Sequence, residues 1–404
     1  MAITLSIFTL NCWGIPFLSK DVPTRMNAIG NFLAQSSFDI VCLQEVWSNT
    51  DFELLRAKVQ QNLPYSHYFH SGVIGSGLCV FSRHPIQDSL FHQWAVNGYV
   101  HKIQHGDWFG GKGVGLCRIL VNGEHYVNVY TAHLHAEYDR ENDEYLAHRV
   151  VQAFDTAQFI KLSSSPQDIS LVAGDLNTEP GDNAFHIIKH VPGLHDCQDY
   201  IKEELMTNEA VGNTYRLLTA PSADASGKRI DYLLFKPPYG VNVSVKEFGY
   251  ALPNKVEGLE ISYSDHEALY AILSVDRTTK ADDKRYCERD AVRREALTTA
   301  ISTCEEALHD LKVQQRRFIY GVVLSAMLLL VVHVLLPRVL PEGNGIAFGI
   351  SGAVHLILLL AVVFCLFMAT IWHRIELNGI NAGKLGMQMS LGKQAAAEAP
   401  NHEI

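Results

Sequence analysis

Polar side chains that can bind a metal ion or move a proton recur beside the apolar, strand-like segments of this chain. They share a position at or next to a segment end, and they are Asn11 in LNCWG, Glu45 in LQEVW, His133 in AHLHAEY, Asp175 and Asn177 in GDLN, Asp231 in RIDY, and Asp265 and His266 in SDHE. Each is ordinary by itself, because Asn and Asp form turns and Glu caps helices. Strands of one sheet deliver the residues at their ends to a common rim, so the repeated placement indicates one site.

The chemistry that suits this set is metal-assisted hydrolysis of a phosphoester. A hard cation such as Mg²⁺ takes oxygen ligands, a few of them from protein, and Glu45 with Asn11 can supply these. An imidazole beside a carboxylate can take a proton from water, which suits His266 next to Asp265. Amide donors such as Asn177 and a second imidazole can stabilise charge on the phosphoryl oxygens. The chain has no GxxxxGK[ST] sequence, which argues against nucleotide-driven transfer.

Alternating strand and helix patterns over residues 1–275 predict the elements that position these side chains. β-Branched and aromatic residues predict strands in ITLSIFTL, FDIVCL, and at 125–132, 169–174, 229–235 and 267–275. Apolar residues at helical spacing predict helices at 24–37 and 144–162. Strands that alternate with helices and hairpins favour an α/β sandwich with mixed sheets.

Two long uncharged segments near the C-terminus predict a membrane hairpin. Residues 318–336 and about 345–372 contain no charged side chain, and each is long enough to cross a bilayer core of about 30 Å. Basic residues flank the outer ends of the two segments, whereas the connection carries only Arg338. By the positive-inside rule, both termini are expected in the cytosol.

The resulting domain scheme has four parts. We expect a catalytic domain at 1–275, a charged juxtamembrane helix at 276–317, the transmembrane hairpin at 318–372, and a cytosolic tail at 373–404. The eight cysteines are scattered without a CxxC pair, which is typical of reduced thiols in the cytosol and not of disulfides or a zinc site.

The charge of the predicted catalytic domain limits its partners. Residues 1–275 hold 19 of the 33 Lys and Arg and 30 of the 43 Asp and Glu, a net charge of −11. Proteins that bind nucleic acid neutralise phosphates with basic residues, so a nucleic acid partner is not expected. An inositol polyphosphate would likewise require several basic side chains around the site.

The ordered motifs LNCWG, LQEVW, AHLHAEY, GDLN, RIDY and SDHEA resemble the endonuclease/exonuclease/phosphatase superfamily, which has the DNase I-like fold. The segments SGVIGSGLCVFSRHPI, HGDWFGGKGVG and YLAHRVVQA closely resemble the magnesium-dependent neutral sphingomyelinases within it. The resemblance implies a four-layer DNase I-like α/β sandwich with two mixed sheets, followed by the two-helix transmembrane hairpin. It also implies Mg²⁺-dependent hydrolysis of sphingomyelin to ceramide and phosphocholine at a cytosol-facing membrane surface.

The resemblance further implies a role for each candidate residue. Glu45 would be the principal Mg²⁺ ligand with Asn11 beside it, and His266 the general base supported by Asp265. Asp175 would position the water or the base, and Asn177 would hydrogen-bond the phosphate. His133 would stabilise the transition state or the leaving group, and Asp231 would orient a histidine. In GDWFGGK, Lys112 would contact phosphate and Asp107 would gate it, unless both lie in a solvated loop.

Several alternatives stay open from the sequence. A lysophosphocholine lipid such as lyso-platelet-activating factor would require the same residues as sphingomyelin, and a membrane scaffold without activity would require missing site residues. The quaternary ammonium of phosphocholine binds aromatic faces or carboxylates. The aromatic residues within 91–109 could supply such faces, meet lipid, or form core. The membrane, either endoplasmic reticulum or plasma membrane, and the oligomeric state are undetermined.

Overall fold

The computed structural model describes residues 3–216, 227–276, 284–339 and 345–398. Residues 1–300 and 301–404 form two compact units. Parts of all four predicted segments lie outside the described residues: 1–2 and 217–226 of the catalytic domain, 277–283 of the juxtamembrane helix, 340–344 of the connection within the hairpin, and 399–404 of the tail.

Twelve strands in the described part of the first unit form two mixed sheets. In chain order they are β1 (Ile3–Asn11), β2 (Ile40–Gln44), β3 (Tyr65–Tyr68), β4 (Cys79–Ser82), β5 (Ile86–Gln93), β6 (Gly113–Val121), β7 (His125–His133), β8 (Ile169–Asp175), β9 (His195–Asp196), β10 (Asp231–Lys236), β11 (Asn242–Tyr250) and β12 (Leu269–Asp276). The first sheet has the order β11-β12-β1-β2-β4-β3 and the second β5-β6-β7-β8-β10-β9. Only β1 with β2 and β7 with β8 pair in parallel among the described strands.

Helices cover the outer face of each sheet, which gives the four layers. The helices of this unit are α1 (Val22–Gln35), α2 (Asn49–Val59), α3 (Asp107–Gly110), α4 (Leu146–Ser163) and α5 (Asn183–His190). Leu33 of α1 and Leu55 of α2 are buried in one cluster with Phe8 of β1. On the second sheet, Phe185 of α5 stacks on Tyr232 of β10 at a centroid distance of 4.6 Å. The predicted α/β sandwich is confirmed, and every strand and helix predicted within residues 1–275 lies within two residues of its expected ends.

The inner faces of the two sheets form one core that changes from apolar to polar at one end. In β1 the alternate residues Ile3, Leu5 and Ile7 are buried in this core, and Thr9 and Asn11 continue the alternation. In β7 and β8 the same alternation runs through Val127 and Val129 to Thr131 and His133, and through Ile169, Leu171 and Ala173 to Asp175. Gln44 of the first sheet donates to Thr131 of the second at 3.3 Å. The polar end of the core is therefore where the predicted site residues lie.

Two long apolar helices characterise the C-terminal part. Here α6 (Lys284–Val339) is followed by α7 (Gly345–Phe367), a π-helical turn (Met368–Trp372) and α8 (His373–Glu398). The apolar segments of two helices are long enough to cross a membrane and are almost entirely exposed, unlike the core helices of a soluble protein. Within the second unit, Gln315 donates to Ala369 O at 2.9 Å and Phe318 packs against Phe364.

Arg25 of α1 joins two loops at the polar end of the first sheet. Its side chain is fully buried, and its guanidinium donates to Cys12 O at 2.7 Å, to Trp13 O at 2.7 Å and to Tyr263 O at 3.2 Å. The planar guanidinium can satisfy several carbonyls at once. It therefore fixes the segment after β1 against the segment that leads to β12.

Replacing Arg25 is expected to destabilise the first unit. Arg25→Ala leaves these buried carbonyls without donors and should lower the free energy of unfolding by about 3 kcal/mol. Denaturant unfolding followed by tryptophan fluorescence measures this change, since four of the five tryptophans lie in residues 1–300. The control, Arg56→Ala, removes an exposed pair with Glu53 and should change little. An equal effect of both variants would contradict the assigned role of Arg25.

Candidate active site

Strand register brings four of the predicted site residues to one rim. His133 lies opposite Asp175 in the parallel pair of β7 and β8, and Asp231 lies opposite Asp175 in the antiparallel pair of β8 and β10. A Cβ at Gly174 would lie 2.2 Å from Ala132 O, so only glycine allows these strands to approach this closely. Asn11 ends β1 of the facing sheet.

Asn11 connects the carboxylates of the two sheets. Its side-chain Nδ2 donates to Glu45 Oε1 and to Asp175 Oδ2, both at 2.9 Å, and its Oδ1 accepts from the Trp13 backbone N–H at 2.9 Å. Glu45 follows β2 with a left-handed backbone, φ 56°. The amide group of Asn11 therefore holds two buried carboxylates together, and direct binding of a metal by its oxygen stays a prediction.

His266 receives its orienting hydrogen bond from Asp231 and not from its sequence neighbour. Nδ1 of His266 lies 2.7 Å from Asp231 Oδ2, whereas Nε2 lies 3.9 Å from Asp175 Oδ2 and 4.0 Å from Asp265 Oδ1. Burial lowers the pKa of His266, but the carboxylates of Asp231 and Asp265 outweigh burial and raise this pKa well above its usual value. Burial also raises the pKa of Asp265 to about 6. The imidazole Nε2 thus faces a group of carboxylates.

His133 lies beside a buried lysine on the same rim. Its Nε2 is 3.5 Å from Asp175 Oδ2 and 3.3 Å from Lys112 Nζ. Lys112 also donates to Leu134 O at 3.2 Å. Burial, with the nearby Lys112 cation, lowers the pKa of His133 well below its usual value. Burial and the Lys112 cation thus both disfavour the protonated form of His133.

Asp107 and Lys112 form a buried ion pair and do not lie in a solvated loop. Their Oδ1 and Nζ atoms are 2.6 Å apart, and both side chains are buried. Tyr138 OH donates to the other oxygen of Asp107 at 2.6 Å, and His135 Nε2 lies 3.5 Å from it. Burial raises the pKa of Asp107, but Lys112 and His135 more than reverse this and keep its pKa below the usual range.

Asn177 connects the β8 end to the segment after β7. Its backbone N–H donates to Asp175 Oδ1 at 2.9 Å, and its side-chain Nδ2 donates to Leu134 O at 3.0 Å. The residue has a left-handed backbone, φ 43°, which Asn adopts more readily than most residues. Both oxygens of Asp175 therefore accept a hydrogen bond, Oδ1 from Asn177 and Oδ2 from Asn11.

The predicted residues surround a single cavity of about 450 Å³. Eight of them line it, namely Glu45, Asp107, Lys112, His133, Asp175, Asn177, Asp265 and His266. Asn11 and Asp231 do not line the cavity but hydrogen-bond residues that do. The structure therefore brings all ten predicted residues together, eight at the cavity wall and two behind it.

The donor set fits a metal ion. Glu45 Oε2 and Asp231 Oδ1 are buried oxygens without a hydrogen-bond partner, and burial raises the pKa of Glu45. A bound cation would favour the charged carboxylate and satisfy such an oxygen. Separately, Asp175, Asp231 and His266 offer ligand atoms within 4.8 Å of one another. The site therefore has the chemistry of a centre for a hard cation.

Sequence reasoning missed the residues that support this rim. His135 and Tyr138 hold Asp107, Gln44 links the sheets beneath the site, and Ser264 donates to Asn11 O at 2.6 Å. A signal for His135 was present, because it stands two residues after His133 in AHLHAEY. No local pattern indicates that Tyr138 contacts a residue 31 positions earlier.

The buried pair of Asp107 and Lys112 makes a prediction that does not depend on any activity. Asp107→Asn or Lys112→Met alone leaves a buried charge without its partner and should lower the free energy of unfolding by about 3–5 kcal/mol. The double variant should lose less than the sum of the two, because it removes both charges. Denaturant unfolding of all four proteins gives the coupling free energy. A coupling of zero would contradict the pairing.

Comparisons with known proteins agree with this geometry. Residues 8–266 match the Endonuclease/Exonuclease/phosphatase family. A Drosophila melanogaster protein, provisionally assigned as a neutral sphingomyelinase, is 38% identical over 97% of this chain and 98% of its own length. Sphingomyelin phosphodiesterase 2 of Homo sapiens is 46% identical over 68% of this chain and 65% of its own length.

A solved structure supports the fold independently. A variant of the beta toxin of Staphylococcus aureus, crystallised with bound magnesium ions, has a TM-score of 0.52 at 20% identity, with 67% of this chain and 99% of that chain covered. At this identity the likeness concerns the fold. The resemblance inferred from the motifs is confirmed: the chain belongs to the endonuclease/exonuclease/phosphatase family and, within it, to the neutral sphingomyelinases.

Proposed function

We propose that this chain hydrolyses sphingomyelin to ceramide and phosphocholine, with Mg²⁺, at a cytosol-facing membrane surface. The observation that carries the proposal is the Asp231–His266 pair, whose free Nε2 faces buried carboxylates at the wall of the cavity. The names of the relatives support a sphingomyelin phosphodiesterase. The lysophosphocholine alternative has no comparable support, and no predicted site residue is missing, as the scaffold alternative would require.

His266 is proposed as the general base. Asp231 accepts the Nδ1–H, which leaves Nε2 free to take a proton from the attacking water. The carboxylates that raise the pKa of His266 strengthen it as a proton acceptor. Asp175 lies within 3.9 Å of both imidazoles and is proposed to position the water. Water forms the new bond to phosphorus, the bond to the ceramide oxygen breaks, and that oxygen leaves with a proton.

His133, Lys112 and Asn177 are proposed to act on the phosphoryl group. His133 and Lys112 lie 3.3 Å apart at the cavity wall, where N–H donors can stabilise the charge that develops in the transition state. Asn177 is proposed to hydrogen-bond phosphate, and Asp107 to control the position of Lys112 through their ion pair. His133 also suits a role at the leaving oxygen.

Glu45 is proposed as the principal Mg²⁺ ligand, with Asn11 beside it. Mg²⁺ would act there as a Lewis acid on a phosphoryl oxygen. Oε2 of Glu45 has no hydrogen-bond partner, whereas Nδ1 of His266 is occupied by Asp231. Asp231 Oδ1 also lacks a partner, but Glu45 lines the cavity and Asp231 does not, which favours Glu45 over the group of Asp175, Asp231 and His266.

The membrane arrangement is also a proposal. We assign two membrane spans within α6 and α7, with both termini in the cytosol of a cell and the protein in the endoplasmic reticulum or plasma membrane. The support is the length and exposure of the apolar helices and the basic residues outside the hairpin. No nucleic acid partner is proposed, because residues 1–275 carry a net charge of −11.

The histidine roles and the substrate can be tested in one assay. Phosphocholine release from sphingomyelin in detergent micelles is expected to exceed release from lyso-platelet-activating factor and to disappear with EDTA. His266→Ala should lower turnover about 10²–10⁴-fold, and His133→Ala about 10²-fold. His125→Ala, at the opposite end of β7, is the matched control.

Each possible outcome has a distinct meaning. Release from the lyso lipid alone would keep the mechanism and replace the substrate. Full activity of the His266 variant would reject its role as the base. If the wild type releases phosphocholine from neither lipid, the result would support the alternative of a membrane scaffold without activity.

Metal binding can be measured without turnover. Mg²⁺ that binds the folded protein should raise the Tm of the wild type in a concentration-dependent way. Glu45→Gln keeps the size of the side chain but removes its charge, so the rise should be lost, while the exposed control Glu53→Gln should keep it. If Asp231→Asn loses the rise and Glu45→Gln keeps it, the cation belongs to the group of Asp175, Asp231 and His266.

A further inference from the structure

Two loops and one short helix beside the cavity expose large apolar side chains. Phe17 is fully exposed, Val73 is 75% exposed, and Leu18, Ile74 and Trp108 are also exposed. We call these five residues the apolar rim. Of the aromatic residues within 91–109, Trp108 belongs to the rim, whereas Trp94 is buried and donates to Thr156.

The apolar rim borders the catalytic cavity on one side. Leu18 and Ile74 line that cavity together with Glu45 and His266. The backbone N–H groups of Val73 and Ile74 donate to Phe109 O at 3.0 and 3.2 Å, which ties their loop to α3, the helix that holds Trp108. The exposed apolar groups therefore form a feature of the cavity mouth and are not scattered over the surface.

Phe17 is held outward by a backbone conformation that disfavours it. Its φ of 66° is in the left-handed region, where a bulky residue is destabilised and glycine is not. Ile15 N–H donates to Ser19 Oγ and Ser19 N–H to Ile15 O, both at 3.0 Å, so the turn is closed around Phe17. Because its side chain is fully exposed, contacts within the protein do not offset this conformation. Contact of this side chain with a partner outside the chain would offset the cost.

We propose that the apolar rim inserts into the headgroup and upper acyl layer of a bilayer and holds the cavity mouth against the lipid. This inference rests on the proposed lipid substrate and deepens it. Aromatic and aliphatic side chains bind this layer of a membrane through their apolar area, and the same chain carries two helices suited to a bilayer.

The charge of residues 1–275 indicates which kind of bilayer the rim would bind. Residues 1–275 carry a net charge of −11, so anionic lipids would repel this part of the chain. Docking should therefore depend on apolar insertion into a zwitterionic surface, such as phosphatidylcholine with sphingomyelin. Phosphatidylserine should not strengthen docking, unlike the case of polybasic membrane-binding segments.

Fluorescence quenching in nanodiscs tests the insertion without turnover. The full chain is reconstituted in phosphatidylcholine nanodiscs that contain nitroxide-labelled lipid, with a fluorophore on Phe17→Cys, Val73→Cys or the control Leu162→Cys. Leu162 is 80% exposed and lies in α4. Six of the seven cysteines whose side chains the structure describes are buried, which favours labelling at the introduced site. We expect quenching at positions 17 and 73 but not at position 162.

Activity gives the second readout. The Phe17→Ser, Val73→Ser double variant should be about tenfold or more less active on sphingomyelin in bilayers. Its activity on a soluble short-chain sphingomyelin should equal that of the wild type. Phe17→Gly should lose bilayer activity while its Tm is unchanged or higher, because glycine relieves the left-handed conformation. Leu162→Ser should retain both activities.

The outcomes separate this proposal from the proposed function. Quenching at position 17 in a wild type that releases no phosphocholine would support the rim and reject the substrate. Full bilayer activity of the double variant, or no quenching at position 17, would reject the rim while the proposed function stands. Disulfide-linked dimers through Phe17→Cys without lipid quenching would assign the rim to a second copy of the chain and overturn the proposal.

Discussion

The face-to-face packing of the two sheets determines most other features of the first unit. Side chains alternate across a strand with a period of two, so packing fixes which residues of β1, β7 and β8 point inward along their whole length. The inward residues are apolar over most of this length and polar at one end. A slip of one residue would turn Asn11, His133 and Asp175 outward and expose the core at the same time. The stability of the core and the geometry of the site therefore depend on the same strand register.

A polar end inside such a core is stable only if its groups are partnered, because unpartnered polar groups are costly in a low dielectric. Asn11 satisfies two carboxylates, Asp231 pairs with His266, and Lys112 pairs with Asp107. Buried oxygens that lack a partner therefore point to a ligand of the site. Glu45 Oε2 and Asp231 Oδ1 are buried without partners in a region where every neighbouring carboxylate oxygen named above has one. Local rules are broken most often at functional sites, and here they are broken at carboxylate oxygens, which are the ligands of hard cations.

The sequence predicted the elements that carry a clear period and the residues at their ends, because both signals are local. It did not predict six of the twelve strands, β3, β4, β5, β6, β9 and β11, or the helices α2, α3 and α5. Of these strands, β3, β4 and β9 are too short to show a period. From the residues, Asp265 is the obvious partner of His266, since the two are adjacent, and only the family resemblance gave Asp231 the role of orienting a histidine. Neighbouring residues in an extended segment point in opposite directions, so the orienting carboxylate comes from Asp231 in the other sheet. Partnership between distant strands depends on register, which no local pattern contains.

The electrostatics of the cavity connect its metal chemistry to its choice of substrate. Eight carboxylates and four basic side chains line it, so a ligand with several negative charges would be repelled. A divalent cation would lower this excess, and a diester with one negative charge would then meet Lys112 and the imidazoles without strong repulsion. The remaining carboxylates suit the positive end of a zwitterion, since a quaternary ammonium is stabilised by carboxylates and aromatic faces. An acidic cavity, a hard cation and a phosphocholine lipid are therefore consistent with one another.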